Sequence, residues 1–158
     1  MRIRKPVALI VFIILCEAAG LFGSLFTFSS IPTWYASLIK PSFNPPAWLF
    51  GPVWTILYFL MGVSAYLIYE KGFKKSNAKT ALYVFGVQLV LNILWTISFF
   101  GLKSISLGFA TIILLWIAII GTIIAFLKIR KSAGILLLPY ILWVTFAALL
   151  NYYILILN

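Results

Sequence analysis

The chain contains no histidine, two acidic residues and one cysteine among its 158 residues. Zinc and di-iron centres draw on several His, Cys or carboxylate ligands, so no metal site is expected. A bound haem would find no axial histidine. Cys16, being alone, excludes an intrachain disulfide. Acid–base catalysis by a paired His or carboxylate arrangement has no residues to draw on. Charged residues make up 9% of the chain, against about 25% in soluble proteins. That scarcity leaves no room for a large soluble domain.

What is present is apolar surface: 65% of residues are hydrophobic and the mean hydropathy is +1.17. A membrane-crossing helix needs about 20 apolar residues. Five segments qualify, at about 6–28, 48–69, 81–100, 105–127 and 135–157. The first is too long for a signal-peptide core and no clear small-residue cleavage site follows it, so it reads as a span. With no internal repeat or low-complexity linker, residues 1–158 read as one domain, an all-α integral membrane bundle of five transmembrane helices. The net charge of +10 would suggest nucleic acid in a soluble protein, but its placement points to topology instead. Arg2, Arg4, Lys5, Lys71, Lys74, Lys75, Lys79, Lys128, Arg130 and Lys131 fall on one side of the membrane; Lys40 and Lys103 fall on the other. By the positive-inside rule the N-terminus is cytoplasmic, and the first loop and the C-terminus lie outside. No nucleic-acid partner is expected.

The connection between the first two spans, 29–47, interrupts this pattern. With Pro32, Pro41, Pro45 and Pro46 it holds four of the seven prolines. Loops beyond about 12–15 residues are more often functional than passive. Prolines stiffen this one, and Trp34, Tyr35 and Phe43 give it aromatic bulk. It reads as a lid over a site inside the bundle.

Helical spacing aligns Glu17, Gly20, Ser24 and Thr27 in the first span. Trp54, Tyr58, Met61, Ala65 and Tyr69 align in the second, and Gln88, Asn92, Trp95 and Phe99 in the third. Tyr140, Trp143, Ala147 and Asn151 align in the fifth. The fourth span has little beyond Thr111, Trp116 and Thr122 and reads as the most lipid-exposed or as structural. A rise of about 1.5 Å per residue puts Trp54 roughly 9 Å below the outer edge and Tyr58 near the middle. Asn92 and Trp95 come at roughly 12 and 8 Å, and Asn151 at about 9 Å, by the same rise. These depths exceed those of interfacial tryptophans. Two readings follow: helix packing held by amide hydrogen bonds, or a pocket for a flat apolar ligand beneath the lid. Glu17, near the middle of the first span without a basic partner in any span, is a candidate for proton-coupled transport. It equally fits a hydrogen-bonded structural role at a close helix contact. Cys16 reads as a small apolar filler.

Trp34-Tyr35, Leu38, Lys40-Pro41-Ser42-Phe43, Pro45-Pro46, Gly51-Pro52-Val53-Trp54, Leu57-Tyr58 and Met61-Gly62 together resemble the translocator protein family, whose bacterial members are the tryptophan-rich sensory proteins. Gln88, Leu91-Asn92, Trp95 and Phe99-Phe100-Gly101 are similar to its third helix. Pro139-Tyr140, Trp143, Phe146-Ala147 and Leu150-Asn151-Tyr152 are similar to its fifth. The resemblance implies a five-helix bundle, commonly a homodimer, in a bacterial plasma membrane. It implies binding of porphyrins such as protoporphyrin IX, or a haem-like tetrapyrrole, as ligand and not as an obligatory cofactor. Tyr35, Pro45, Pro46, Trp54, Asn92, Trp143 and Ala147 would line the site, joined by Tyr58 and Trp95 on depth. Light-dependent porphyrin breakdown in some members implies a photochemical role for Trp54 and Trp143. The animal cholesterol motif needs a basic residue after the tyrosine near the C-terminus, and 150–158 has none. The acid that several relatives carry in the fourth helix is also absent from 110–114. Receptor, Glu17-coupled transporter and scaffold remain the three readings.

Overall fold

The computed structural model describes residues 6–72 and 76–158. Of the basic residues used for topology, Arg2, Arg4, Lys5, Lys74 and Lys75 lie outside the described residues. Every regular element among the described residues is helical. Five stretches are long and apolar enough to cross a bilayer: Pro6–Tyr35, Ala47–Glu70, Asn77–Gly101, Ile105–Ile129 and Lys131–Leu157.

Helix α1 (Pro6–Ser30) does not stop at residue 28 as hydropathy suggests. Pro32 cannot donate to the carbonyl four residues back and crowds it. The helix widens into a π turn over Ile31–Tyr35 instead of ending. Trp34 and Tyr35 are therefore part of the helical wall, and the expected lid of 29–47 shortens to about 38–46. A 3₁₀ turn, Ala47–Leu49, then leads into α2 (Phe50–Glu70). Gly72, at φ 116°, supplies the left-handed residue that ends it.

Helix α3 (Ser76–Thr96) starts five residues before the expected 81. Its first turn is polar and escapes a hydropathy reading, yet Ala78 and Ala81 are buried. It too ends in a π turn, Ile97–Gly101. Ser104 caps α4 (Ile105–Ile129) by accepting from the Leu107 amide. The fifth span, expected as one helix from 135, is two: α5 (Lys131–Leu136) and α6 (Leu138–Leu157). Pro139 has no N–H to offer the previous turn, and the helix breaks at Leu137.

α1 packs on α2 and α3, α3 on α4, α4 on α6, and α5 on α2. Of the two readings of the fourth span, most lipid-exposed or structural, the first is corrected: α1 is the most exposed. Of its most apolar window 17% is buried, against 33% for α4. α4 sends Ile112, Leu115, Ile119, Thr122 and Phe126 into the core. α1 buries only Cys16, Ala19, Gly23 and Ser30. The core is densest toward the end where α2 finishes. There Ser64 donates to the Ala133 carbonyl at 2.7 Å. Arg130 meets Glu70 at 2.7 Å in the one ion pair among the described residues. At the lid end the helices stand apart.

Candidate functional site

α1 and α2 touch closely at two glycines. At Gly62 an added Cβ would lie 2.6 Å from the Ile13 Cα, and at Gly20 2.4 Å from the Tyr58 ring. From Glu17 to Tyr35 and Ala47, the residues that flank the loop, a cavity of about 330 Å³ lies between the two helices. α3 and α6 complete its wall with Trp95, Thr96, Phe99, Phe100, Ala147, Leu150, Asn151 and Ile154. Leu21, Ser24 and Phe28 of α1 and Gly51 and Thr55 of α2 both line the cavity and lie exposed. The cavity is thus open sideways, between α1 and α2, on the apolar flank of the bundle.

Aromatic rings form one side. Trp54 lies 5.6 Å from Tyr58 at 31° and 5.8 Å from Trp95 at 36°. The Trp95 indole N–H donates to Asn151 Oδ1 at 3.3 Å, and Asn151 Nδ2 donates to the Ala147 carbonyl at 2.9 Å. Below Trp54 the Tyr58 hydroxyl donates to Asn92 Oδ1. Asn92 Nδ2 donates to the Tyr140 hydroxyl at 3.0 Å, which donates to Gln88 Oε1 at 2.9 Å. This chain crosses α2, α3 and α6 in the buried core, so each polar group there has a partner, as burial requires.

The loop 38–46 is tied down from both ends. The Tyr35 hydroxyl donates to Asn44 Oδ1 at 2.6 Å. Lys40 Nζ folds back onto the carbonyls of Tyr35, Ala36 and Leu38 at 2.9, 3.0 and 2.7 Å. It caps the helix end that its own chain has just left. On the α6 side, the Ile39 amide donates to Asn158 Oδ1 and Asn158 Nδ2 donates to the Ile39 carbonyl, both at 3.0 Å. Phe43 packs 5.3 Å from Tyr153 and 6.3 Å from Phe146. Asn158→Ala removes both amide bonds while leaving the rings in place. The bonds are solvent-exposed, so each is worth about 1 kcal/mol or less. The expected result is exchange of the Ile39 amide about fivefold faster with an unchanged melting temperature. Unchanged exchange would mean the amide is not a latch.

Tyr35, Trp54, Tyr58, Trp95 and Ala147 line the cavity, and so does the whole α1 stripe of Glu17, Gly20, Ser24 and Thr27. Asn92 stands behind Tyr58, one hydrogen bond from the wall. Pro45 and Pro46 belong to the loop 38–46, none of whose residues lines the cavity. Trp143 does not reach it either. The buried face of α6 runs Tyr140, Val144, Ala147, Asn151, Ile154, which turns Trp143 onto the flank. Its ring lies 6.1 Å from Phe50 and 5.6 Å from Phe146. There, with Val53, Ile56, Leu57, Pro139, Leu142 and Phe146, it lines a separate apolar groove between α2 and α6. The spacing argument missed Gly51, Thr55, Thr96 and Phe100. Gly51 and Thr55 continue the Trp54–Tyr58 face back by one turn, and Thr96 and Phe100 extend the Asn92 face forward by one and two turns.

Glu17 has no hydrogen-bond or ion-pair partner among the described residues, and Cys16 beside it is fully buried. No group of three or more His, Cys, Asp or Glu side chains gathers among the described residues.

The family model for TspO/MBR matches residues 12–157. A tryptophan-rich protein TspO of Archaeoglobus fulgidus is 47% identical over 158 residues, 100% of this chain and 99% of that protein. One from Chlorobaculum tepidum is 46% identical over 144 residues, 91% of each. The translocator protein of Ovis aries is 36% identical over 143 residues, covering 89% of this chain and 84% of the sheep protein.

Proposed function

The chain belongs to the TspO/MBR family, and from that premise we propose that it is a membrane receptor holding a flat, largely apolar ligand, a porphyrin such as protoporphyrin IX, in the cavity beneath the lid. The observation that carries this reading is the pair of indoles, Trp54 and Trp95, set 5.8 Å apart along one wall. Such faces give a planar ligand a rigid stacking surface, and the sideways opening lets an apolar molecule arrive from the bilayer. Ligand sites are typically apolar with a few convergent polar groups, and the cavity has this composition. In this reading the positive-inside rule puts the N-terminus and the basic end in the cytoplasm and the lid outside, and a bacterial plasma membrane belongs to the same proposal. Homodimerisation is part of the same proposal. Light-dependent breakdown of the porphyrin fits the indoles: an excited macrocycle takes an electron from a stacked indole or passes its energy to dioxygen. On position, that role belongs to Trp54 with Trp95, since Trp143 lines the other groove.

The test is a titration of the purified protein with protoporphyrin IX, followed by the shift of its main absorbance band. Trp54→Ala should weaken binding about tenfold, the loss of one aromatic stacking face, and slow bleaching in light. Trp143→Phe should change neither. The reverse pattern would move the ligand to the α2–α6 groove and overturn the assignment.

A further inference from the structure

We infer that the Glu17 end of the cavity is a subsite for a positively charged group, so that the site prefers flat ligands carrying a protonated amine or a delocalised cation. This rests on the cavity being a ligand site and adds its charge selectivity. Its lining contains one carboxylate, Glu17, and no lysine, arginine or histidine. The nearest basic residue of the loop, Lys40, spends its ammonium on three backbone carbonyls.

The hydroxyls point the same way. Ser24 donates to the Leu21 carbonyl at 2.6 Å, Thr27 to Ser24 at 3.2 Å, Thr55 to Gly51 at 3.1 Å and Thr96 to Asn92 at 3.2 Å. Tyr35 and Tyr58 donate to Asn44 and Asn92. Each of these protons is committed to the protein, and what faces the cavity is oxygen lone pairs. The donors left over on the wall are the Trp54 indole N–H, which has no hydrogen-bond partner among the described residues, and the second N–H of the Asn151 amide, whose first goes to the Ala147 carbonyl. An acceptor-rich cavity with an unpaired carboxylate is matched by a ligand that donates.

Electrostatics sets the size of the preference. A carboxylate within a membrane span is costly without a partner. A ligand cation supplies that partner, and the charge-assisted bond it makes is stronger than a neutral one. One helical turn along, Gly20 lets the Tyr58 ring press against α1, and Trp54 lies beyond it. Both rings offer faces to a cation. An anionic group at the same depth would meet Glu17 as a like charge. The propionates of a porphyrin must therefore lie toward the loop end of the cavity, away from Glu17 and out of the hydrocarbon.

The experiment compares three flat probes on protein in lipid nanodiscs, with empty nanodiscs subtracted: acridine orange as the cation, anthracene as its neutral analogue, and protoporphyrin IX. The wild type should bind acridine orange at least about tenfold more tightly than anthracene. Glu17→Gln should erase that preference and, by removing a like charge, tighten protoporphyrin IX binding. Glu17→Asp, which keeps the charge, should retain most of the preference and so separates charge from shape. If acridine orange binds Glu17→Gln as well as wild type while protoporphyrin IX still binds, the cation subsite is wrong and the cavity reading survives. If none of the three probes binds the wild type, both fall together.

Discussion

Gly62→Val will lower the melting temperature by roughly 10 °C, the largest effect expected of a single methyl-bearing substitution in this chain. The atoms that a Cβ at residue 62 would meet are the Ile13 Cα at 2.6 Å, the Ile13 nitrogen at 2.9 Å and the Phe12 carbonyl oxygen at 2.9 Å. All three are backbone, so no rotamer change in α1 can make room. Carbon atoms rest at about 3.5–4.0 Å, so the helices must separate by about 1 Å where they are closest. Close backbone approach at small residues is a main source of helix association in a bilayer, where water supplies no driving force between helices. Overpacking costs typically about 1–3 kcal/mol, and with backbone on the receiving side the upper end applies. The displacement also reaches Gly20 and Tyr58, the other α1–α2 contact, so ligand affinity should fall with stability. Gly86→Val is the control. A Cβ there meets nothing within 4 Å, so its melting temperature should stay within about 2 °C of wild type. Equal losses at the two positions would show that the effect is helix propensity and not the α1–α2 contact.

Periodicity and depth carried much of the site, and their failures have identifiable causes. A polar or aromatic residue inside a span reports its angle around the helix and its height. Those two coordinates put Trp54, Asn92, Trp95 and Asn151 in one half of the bundle with Tyr58 near the middle, and the structure joins Tyr58 to Asn92 and Trp95 to Asn151. They fail where a side chain sits at the edge of its face. Trp143 and Ala147 share a stripe at i, i+4, yet Val144 rather than Trp143 lies on the buried side of α6, and the bulkier ring is left on the flank. Proline was the other source of error. Pro32 falls in the connection expected over 29–47, but a π turn absorbs its missing donor and keeps Trp34 and Tyr35 helical, with Tyr35 lining the cavity. Pro139 lies inside one continuous apolar run and does break it. The exposure of α1 was illegible because lipid-facing and buried apolar residues look alike in composition. Only the cavity beside α1 explains why its Glu17, Gly20, Ser24, Thr27 stripe is polar. The contacts of Lys40 and Asn158 join residues far apart in sequence, or fold back on a loop, and no period signals them.

Asn92→Leu will destabilise the bundle by about 2 kcal/mol, and adding Tyr58→Phe to it will cost little more. Asn92 is fully buried and joins two hydroxyls, accepting from Tyr58 and donating to Tyr140. Leucine has a similar volume, so little cavity opens. Tyr140 keeps its donation to Gln88 Oε1 and loses only a proton it accepted. Tyr58 is the group left stranded, with a buried hydroxyl proton and no acceptor, a state that costs about 1–3 kcal/mol. Measured bonds between membrane helices average about 0.6 kcal/mol and reach about 1.7, so the orphaned donor outweighs the lost bond. Tyr58→Phe alone should cost about 1 kcal/mol, because Asn92 then loses a donor but keeps its bond to Tyr140. In the double variant the stranded hydroxyl is gone and the two losses will not add. The total should stay near 2 kcal/mol instead of about 3, a coupling of about 1 kcal/mol in a double-mutant cycle on detergent unfolding. Strict additivity would mean that Tyr58 and Asn92 do not act as a unit. The wall of the cavity would then owe its position to ring packing by Trp54 and Gly20 alone. A coupled pair instead makes the Tyr58 ring a fixed surface, held from behind by α3 and α6, against which Gly20 and Glu17 of the lipid-facing α1 define the deep end of the site.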